Sequence, residues 1–192
     1  MARTYTLKRR AESQAATRRR IVEAAVDLHS RIGPARTTLS EVAGKAGVQR
    51  HTLYAHFPDE RSLSLACSEL TLKRDPLPEP GPWKNIEGRS ERLRAGLLAV
   101  YSWYERNAEL VACVLRDAEY HPLTREIVEL RFGPRMAAYQ EVLGVTLSKK
   151  QRAVLRLALS FFTWRTLVQE SGLRRAAAAG AMVRAIVCAT ET

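Results

Sequence analysis

Four prolines fall within eight residues at Asp75-Pro-Leu-Pro-Glu-Pro-Gly-Pro82. Proline has no amide N–H and its ring collides with the preceding turn, so no helix crosses this segment. On both sides of it the apolar residues recur at three and four, the spacing of one helix face. The chain is therefore expected to be all-α. It should have a first domain over residues 1–74, a proline-rich linker at 75–82 and a second helical domain over 83–192. Each half is long enough to bury a core of its own.

Charge separates the two halves further. Residues 1–74 hold 14 Lys/Arg against 7 Asp/Glu, within a chain of net charge +11. A basic first third points to a polyanion, most simply nucleic acid, although excess charge alone also serves solubility. No run reaches the ~18 apolar residues of a membrane span, and the N-terminus shows no signal-type apolar region. A cytoplasmic protein without membrane contact is expected. Cys67, Cys113 and Cys188 include no close pair, which argues against C-x-x-C chemistry and a disulfide framework and for buried free thiols.

Residues 1–12 lack apolar periodicity and carry Arg3, Lys8, Arg9 and Arg10, so they read as a solvated basic arm able to lie along phosphates. A helix is predicted from Ser13 to Ile32 with the stripe Ile21, Ala24, Ala25, Leu28 and Ile32, closed by Gly33-Pro34. Thr38 and Glu41 form a capping box for a second helix whose inward face is Leu39, Val42, Ala43 and Ala46. Gly47 supplies the positive φ of a tight turn and Val48 plugs the angle behind it. A third helix follows at about Arg50–His56, anchored by Leu53. The spacing leaves Arg50, His51, Thr52, Tyr54 and His56 with no apolar partner. This order of elements is a specific signal for a helix-turn-helix. A fourth helix, capped by Asp59, runs to Lys73.

The run Thr37-Thr-Leu-Ser-Glu-Val-Ala-Gly-Lys-Ala-Gly-Val48, followed by Thr52-Leu-Tyr54 and His56-Phe57, resembles the N-terminal domain of the tetracycline-repressor (TetR) family of bacterial transcriptional regulators. The resemblance covers about Thr17 to Leu65. It implies an N-terminal three-helix DNA-binding domain and a C-terminal helical domain for ligand binding and dimerisation. It assigns Gln49–His56 to a recognition helix in the major groove, with Arg50, His51 and Thr52 facing base edges. A bidentate Arg50–guanine contact is the physically strongest of these. Tyr54, His56 and Thr38 fall at positions that hold phosphates. Packing of Tyr54 and His56 against the first helix is the alternative. Two residues depart from the pattern. Gln49 replaces a better N-cap, and Glu60 stands where a lysine is common, leaving Arg61 as the replacement cation.

In the second domain helices are predicted over Ser90–Arg106, from Asn107 to Leu115, from Leu123 to Leu143 with a kink or break at Gly133-Pro134, from Ser148 to Glu170, and from Ser171 to Ala189. The stretch 153–168 is apolar nearly all round, and the last helix is rich in small residues. Together they suggest a four-helix interface between two copies, carried by Leu155, Leu159, Phe162, Ala177, Gly180, Val183 and Val187. The resemblance implies the same, and adds a small-molecule effector between the central helices. Candidate lining residues are Trp103, Tyr104, Tyr120, Phe132, Met136, Tyr139, Phe161 and Trp164, with Arg106, Asp117, His121 and Arg165 as polar partners. Aromatics at helical spacing also serve as plain core, and Asp117 between Arg116 and Arg125 also reads as a structural ion pair.

No G-x-S-x-G, H-E-x-x-H, phosphate-loop or dinucleotide signature occurs, and His51 and His56 are not spaced as a helical metal pair. No catalytic residue, metal or cofactor is expected. The leading expectation is a homodimeric repressor that binds a pseudo-palindromic operator in double-stranded DNA and leaves it on binding an effector. The alternatives are a DNA-binding architectural protein without effector and, remotely, a small helical enzyme.

Overall fold

The computed structural model describes residues 2–189, with side chains from Lys8 onward. The described residues contain helices and no strand. They divide into two compact units, one holding residues 2–74 with Ala112–Val128, the other Asp75–Val111 with residues 129–189. The break after Arg74 coincides with the start of the proline cluster. The inclusion of 112–128 in the first unit has no counterpart in the linear reading.

In the first unit, α1 spans Ala2–Arg31. It begins eleven residues before the predicted start at Ser13 and takes in the arm expected to be unstructured. Residues 2–31 contain neither Gly nor Pro, and Arg, Ala, Leu, Lys and Glu are good helix formers even where no apolar stripe marks them. Residues 8–16 are exposed. Further on, Ile21, Ala24 and Ala25 are buried, and Leu28 and Ile32 half-buried. Gly33 ends the helix at φ 94°, and a single 3-10 turn, Pro34–Arg36, leads to α2, Leu39–Ala46.

The capping box closes in both directions. The Glu41 amide donates to Thr38 Oγ1 at 3.2 Å, and the Thr38 amide donates to Glu41 Oε2 at 2.8 Å. Gly47 adopts φ 64°, and Val48 donates back to Ala43 O at 3.0 Å, which turns the chain into α3, Arg50–His56. Asp59 caps α4, Glu60–Arg74, accepting from the Ser62 amide at 2.7 Å. Ile21, Ala25, Val42, Ala43, Leu53, Phe57, Leu63 and Cys67 make one core. Of the three thiols only Cys67 is buried; Cys113 is half-buried and Cys188 exposed. Burial pushes the Cys67 thiol up to about 12, so it stays protonated and unreactive.

In the second unit the proline segment is a strap rather than a free linker. Trp103 Nε1 donates to Asp75 O at 3.0 Å, and Arg106 and Asn107 hold the Asp75 carboxylate at 2.7–3.0 Å. Tyr139 donates to Pro78 O at 2.7 Å, and Arg135 forks onto Glu79 at 2.6 and 2.8 Å. Leu77 and Trp83 are buried. Proline carbonyls still accept hydrogen bonds, and a chain without helical partners must find them elsewhere.

Helix α5, Arg89–Ala118, is one run in which Asn107 alone leaves helical geometry, at φ −117° and ψ 16°. Helix α6, Pro122–Leu143, continues through Gly133-Pro134, where a break was a possibility. The long helix predicted from Ser148 to Glu170 is interrupted. It becomes α7, Lys149–Ala158, then α8, Phe161–Trp164, capped by Ser160, then a π-helical stretch, Arg165–Glu170. Two buried phenols account for the interruption. Tyr101 donates to Ala158 O at 2.9 Å and Tyr104 to Leu159 O at 2.8 Å, satisfying carbonyls that the ended helix leaves open. The last helix, α9, runs Arg175–Cys188, four residues later than the sequence suggested.

Candidate nucleic-acid interface

Helix α3 owes its position to one inward side chain and its neighbours. Leu53 is 1% exposed and sits over the core; Phe57, at the C-terminal cap, is buried equally. At the N-terminal end Gln49 makes no side-chain cap, as its amide side chain suggested. Arg50, His51, Tyr54 and Ala55 are all exposed, at i, i+1, i+4 and i+5 of one helix, hence on one face. Gln49 is exposed beside them at the cap, while Thr52 and His56 are half-buried. This face presents a guanidinium, an imidazole and a phenol and contains no carboxylate. Such a surface can donate to base acceptors in a major groove and to phosphate oxygens.

The rim of this face is less free than its centre. The Thr38 hydroxyl donates to Glu41 Oε2 at 2.8 Å while accepting the Glu41 amide. Arg61, the proposed substitute for a cation at position 60, is paired with Glu126 at 2.7 Å. Lys45 is paired with Asp27 at 2.6 Å. By contrast Arg50 and Arg36 have no ion pair among the described residues. Arg18 was not singled out from sequence. Its guanidinium lies 4.7 Å above the Phe57 ring, so the basic part of α1 adjoins the C-terminal end of α3. The arginine triplet at 18–20 was the available signal.

The candidate effector residues separate. Trp103, Tyr104, Phe132, Phe161 and Trp164 form one cluster with ring centroids 5.2–5.9 Å apart, while Tyr139 packs on Trp83 at 5.1 Å. Tyr120 belongs to the first unit, is 57% exposed, and donates to Asp117 at 2.9 Å, so it does not join the others. Met136 is half-buried and lies outside the buried core. The polar candidates are likewise engaged. Arg106 holds Asp75, His121 shares a 2.7 Å hydrogen bond with Thr124, and Arg165 pairs with Glu170 at 3.1 Å. Asp117 pairs with Arg116 but not Arg125, which donates to the carbonyls of Ala118 and Glu119. Trp164 Nε1 is buried without an acceptor. A cleft elsewhere in this unit is lined by Gln140, Glu141, Arg152 and Leu155 and includes none of these aromatics.

Among the candidate interface residues, Leu155 and Leu159 are core, since α7 turns them inward. Phe162 and Ala177 are exposed, and Gly180, Val183 and Val187 half-buried. Leu157, not among the candidates, is 58% exposed. The described residues contain no group of His, Cys, Asp and Glu able to hold a metal ion, and no helix long and apolar enough to cross a membrane.

A capped helix, a left-handed glycine turn and a donor-rich second helix define a helix-turn-helix DNA-binding protein, here with an all-helical second unit. Residues 21–67 match the family model for bacterial regulatory proteins of the tetR family. The fold is shared by FadR from Bacillus subtilis, a transcriptional regulator solved with stearoyl-CoA, at 14% identity and TM-score 0.64 over 90% of this chain and 98% of that one. It is shared by the TetR-family regulator PfmR from Thermus thermophilus, at 20% and 0.63 over 90% and 99%. A tetR-family transcriptional regulator from Streptomyces coelicolor matches at 20% and 0.58 over 90% and 79%. No curated protein matches the chain. The likeness to the tetR family is thus carried by residues 21–67, and the solved regulators share the fold over about nine-tenths of this chain.

Proposed function

We propose that this regulator is a homodimeric repressor that binds a pseudo-palindromic operator and is released by a small, largely apolar effector. The observation that carries the DNA-reading part is the exposed, carboxylate-free face of α3 with an unpaired Arg50. Arg50, His51 and Thr52 read base edges, and Gln49, Tyr54, His56 and Thr38 hold the backbone. Arg61 reaches a phosphate only by leaving Glu126. Two copies place their α3 helices in successive major grooves about 34–36 Å apart. Leu157, Phe162 and Ala177 supply exposed small and apolar surface for pairing, with Gly180, Val183 and Val187 beside them. The role is regulatory, not catalytic.

The effector reading rests on the aromatic cluster and on the orphaned Trp164 N–H, a buried donor that an acceptor atom of a ligand would satisfy. That FadR of the same fold was solved with stearoyl-CoA fits a long apolar effector. One observation favours a second reading, a DNA-binding regulator without effector: the aromatics pack ring on ring, and the cleft in this unit is lined by other residues. A footprint on the DNA flanking its own gene, repeated with a panel of acyl-CoA and aromatic compounds, tests both. Protection of one pseudo-palindrome that a compound abolishes supports the first reading. Protection that no compound changes favours the second, and no protection at all refutes both.

A further inference from the structure

The junction between α1 and α2 is held from outside by a single short segment of the chain, residues 113–120. Helix α1 ends with open carbonyls, as every helix does. The Cys113 thiol points at Ser30 O at 3.3 Å, and Arg116 Nη2 donates to Ile32 O at 2.9 Å. The 3-10 turn that follows starts with open amides. The Ala35 amide donates to Asp117 Oδ2 at 2.9 Å, while Asp117 Oδ1 accepts from Arg116 Nε at 2.8 Å and Tyr120 OH at 2.9 Å. Asp117 is fully buried, and the chain is shaped around it. Gly33 sits at φ +94°, and a Cβ there would collide with Asp117 Oδ2. Burial pushes the Asp117 carboxyl up, but the Ala35 amide, Arg116 and Tyr120 outweigh this and hold it below the usual carboxylate range. The buried group is therefore an anion.

We infer that Asp117 is a positioning residue for DNA binding: as an N-cap supplied in trans to the 34–36 turn, it sets the angle at which α2, and with it α3, leaves α1. The inference rests on the reading of α3 as the DNA-contacting helix. A buried ion pair is by itself weak evidence for stability, and this one spends an acceptor on a backbone amide 82 residues away. The carboxylate is carried by the last turn of α5, a helix whose first residues belong to the second unit. A displacement of that turn along its axis moves the acceptor that holds Ala35 N.

Asp117→Asn keeps the shape, removes the charge and puts an N–H₂ where one of the donors now points. Tyr120→Phe removes one of the three donors and leaves the carboxylate in place. Binding would be measured on a duplex selected from a random pool by the unaltered protein, with active fraction and salt dependence determined for each variant. If only part of the population holds the binding geometry, the apparent dissociation constant rises by the inverse of that fraction. Asp117→Asn should weaken binding about tenfold and Tyr120→Phe about threefold, with unchanged active fraction and salt slope and faster amide exchange at Ala35. Equal affinities for all three proteins overturn the positioning role. So does a loss that appears only as reduced active fraction, which marks a folding defect. Should Asp117→Asn not fold, Tyr120→Phe decides alone. If the unaltered protein selects no duplex, the DNA-binding reading fails instead, and Ala35 exchange still reports whether the carboxylate holds the turn.

Discussion

His29 is 9% exposed on the inner side of α1, and its environment predicts an acid limb in the stability of this protein. Burial lowers its pKa from 6.5 to about 4, opposed in part by the negative charge of Asp117. The folded state therefore holds a neutral imidazole at a pH where the unfolded chain takes up a proton. Unfolding binds a proton between pH 6.5 and 4, so stability is complete above 6.5 and falls as pH drops through that window. A shift of this size corresponds to about 3 kcal/mol in full, of which about 2 kcal/mol is already lost at about pH 5. Urea denaturation at about pH 7, 6 and 5 would show it as a falling midpoint at constant slope. His29→Gln lacks the titrating group and should lose most of the dependence in this window, whatever its stability at neutral pH. Depressed carboxylates such as Asp117 act in a lower window, since they lose their contribution only as pH falls through their own reduced values. A His29→Gln protein that keeps the full slope across this window would refute the assignment.

Other outcomes follow from the same geometry. Arg50→Ala should cost about 1–3 kcal/mol of sequence discrimination with unchanged thermal stability, because the side chain is exposed; an unaltered preference in a selection experiment would exclude base readout by Arg50. Tyr54→Phe should weaken all duplexes alike, by about threefold, and a loss confined to some sequences would argue against a phosphate contact. Phe162→Glu places a charge on exposed apolar surface and should give monomers in sedimentation, whereas persistent dimers would move the interface elsewhere. Trp164→Phe removes the orphaned donor together with one ring of a fully buried indole, so stability should fall by about 1–3 kcal/mol from the cavity while effector response is lost; an unchanged effector response would exclude Nε1 as a ligand contact.

What could be read from sequence was what local residues decide. Thr38 and Glu41 cap within three residues, Gly47 turns on its own φ, and Leu53 anchors a helix by its spacing, so the helix-turn-helix emerged almost residue by residue. The break at Leu159-Ser160 stayed hidden because its cause is distant. Tyr101 and Tyr104 draw carbonyls out of a run that contains no glycine or proline. Apolar periodicity overlooked the first turns of α1, where propensity alone carries the helix. Asp117 was recognisable as an ion-pair member beside Arg116. Its bond to Ala35 was not, since no pattern in one segment names a backbone amide in another.

Helix α3 shows why the two kinds of information separate so cleanly. Helix α3 has seven residues, well under the ~12–15 at which an isolated helix becomes even marginal in water, and Gln49 gives it no side-chain cap. Its order therefore comes from tertiary packing: Leu53 and Phe57 beneath it, and the Gly47 turn before it. None of these groups lies on the exposed face. Arg50, His51 and Tyr54 contribute little to holding the helix, so the residues proposed to contact DNA are those whose replacement disturbs the fold least. Core burial sets where the helix stands, and the outward face is left free for the proposed contacts with bases.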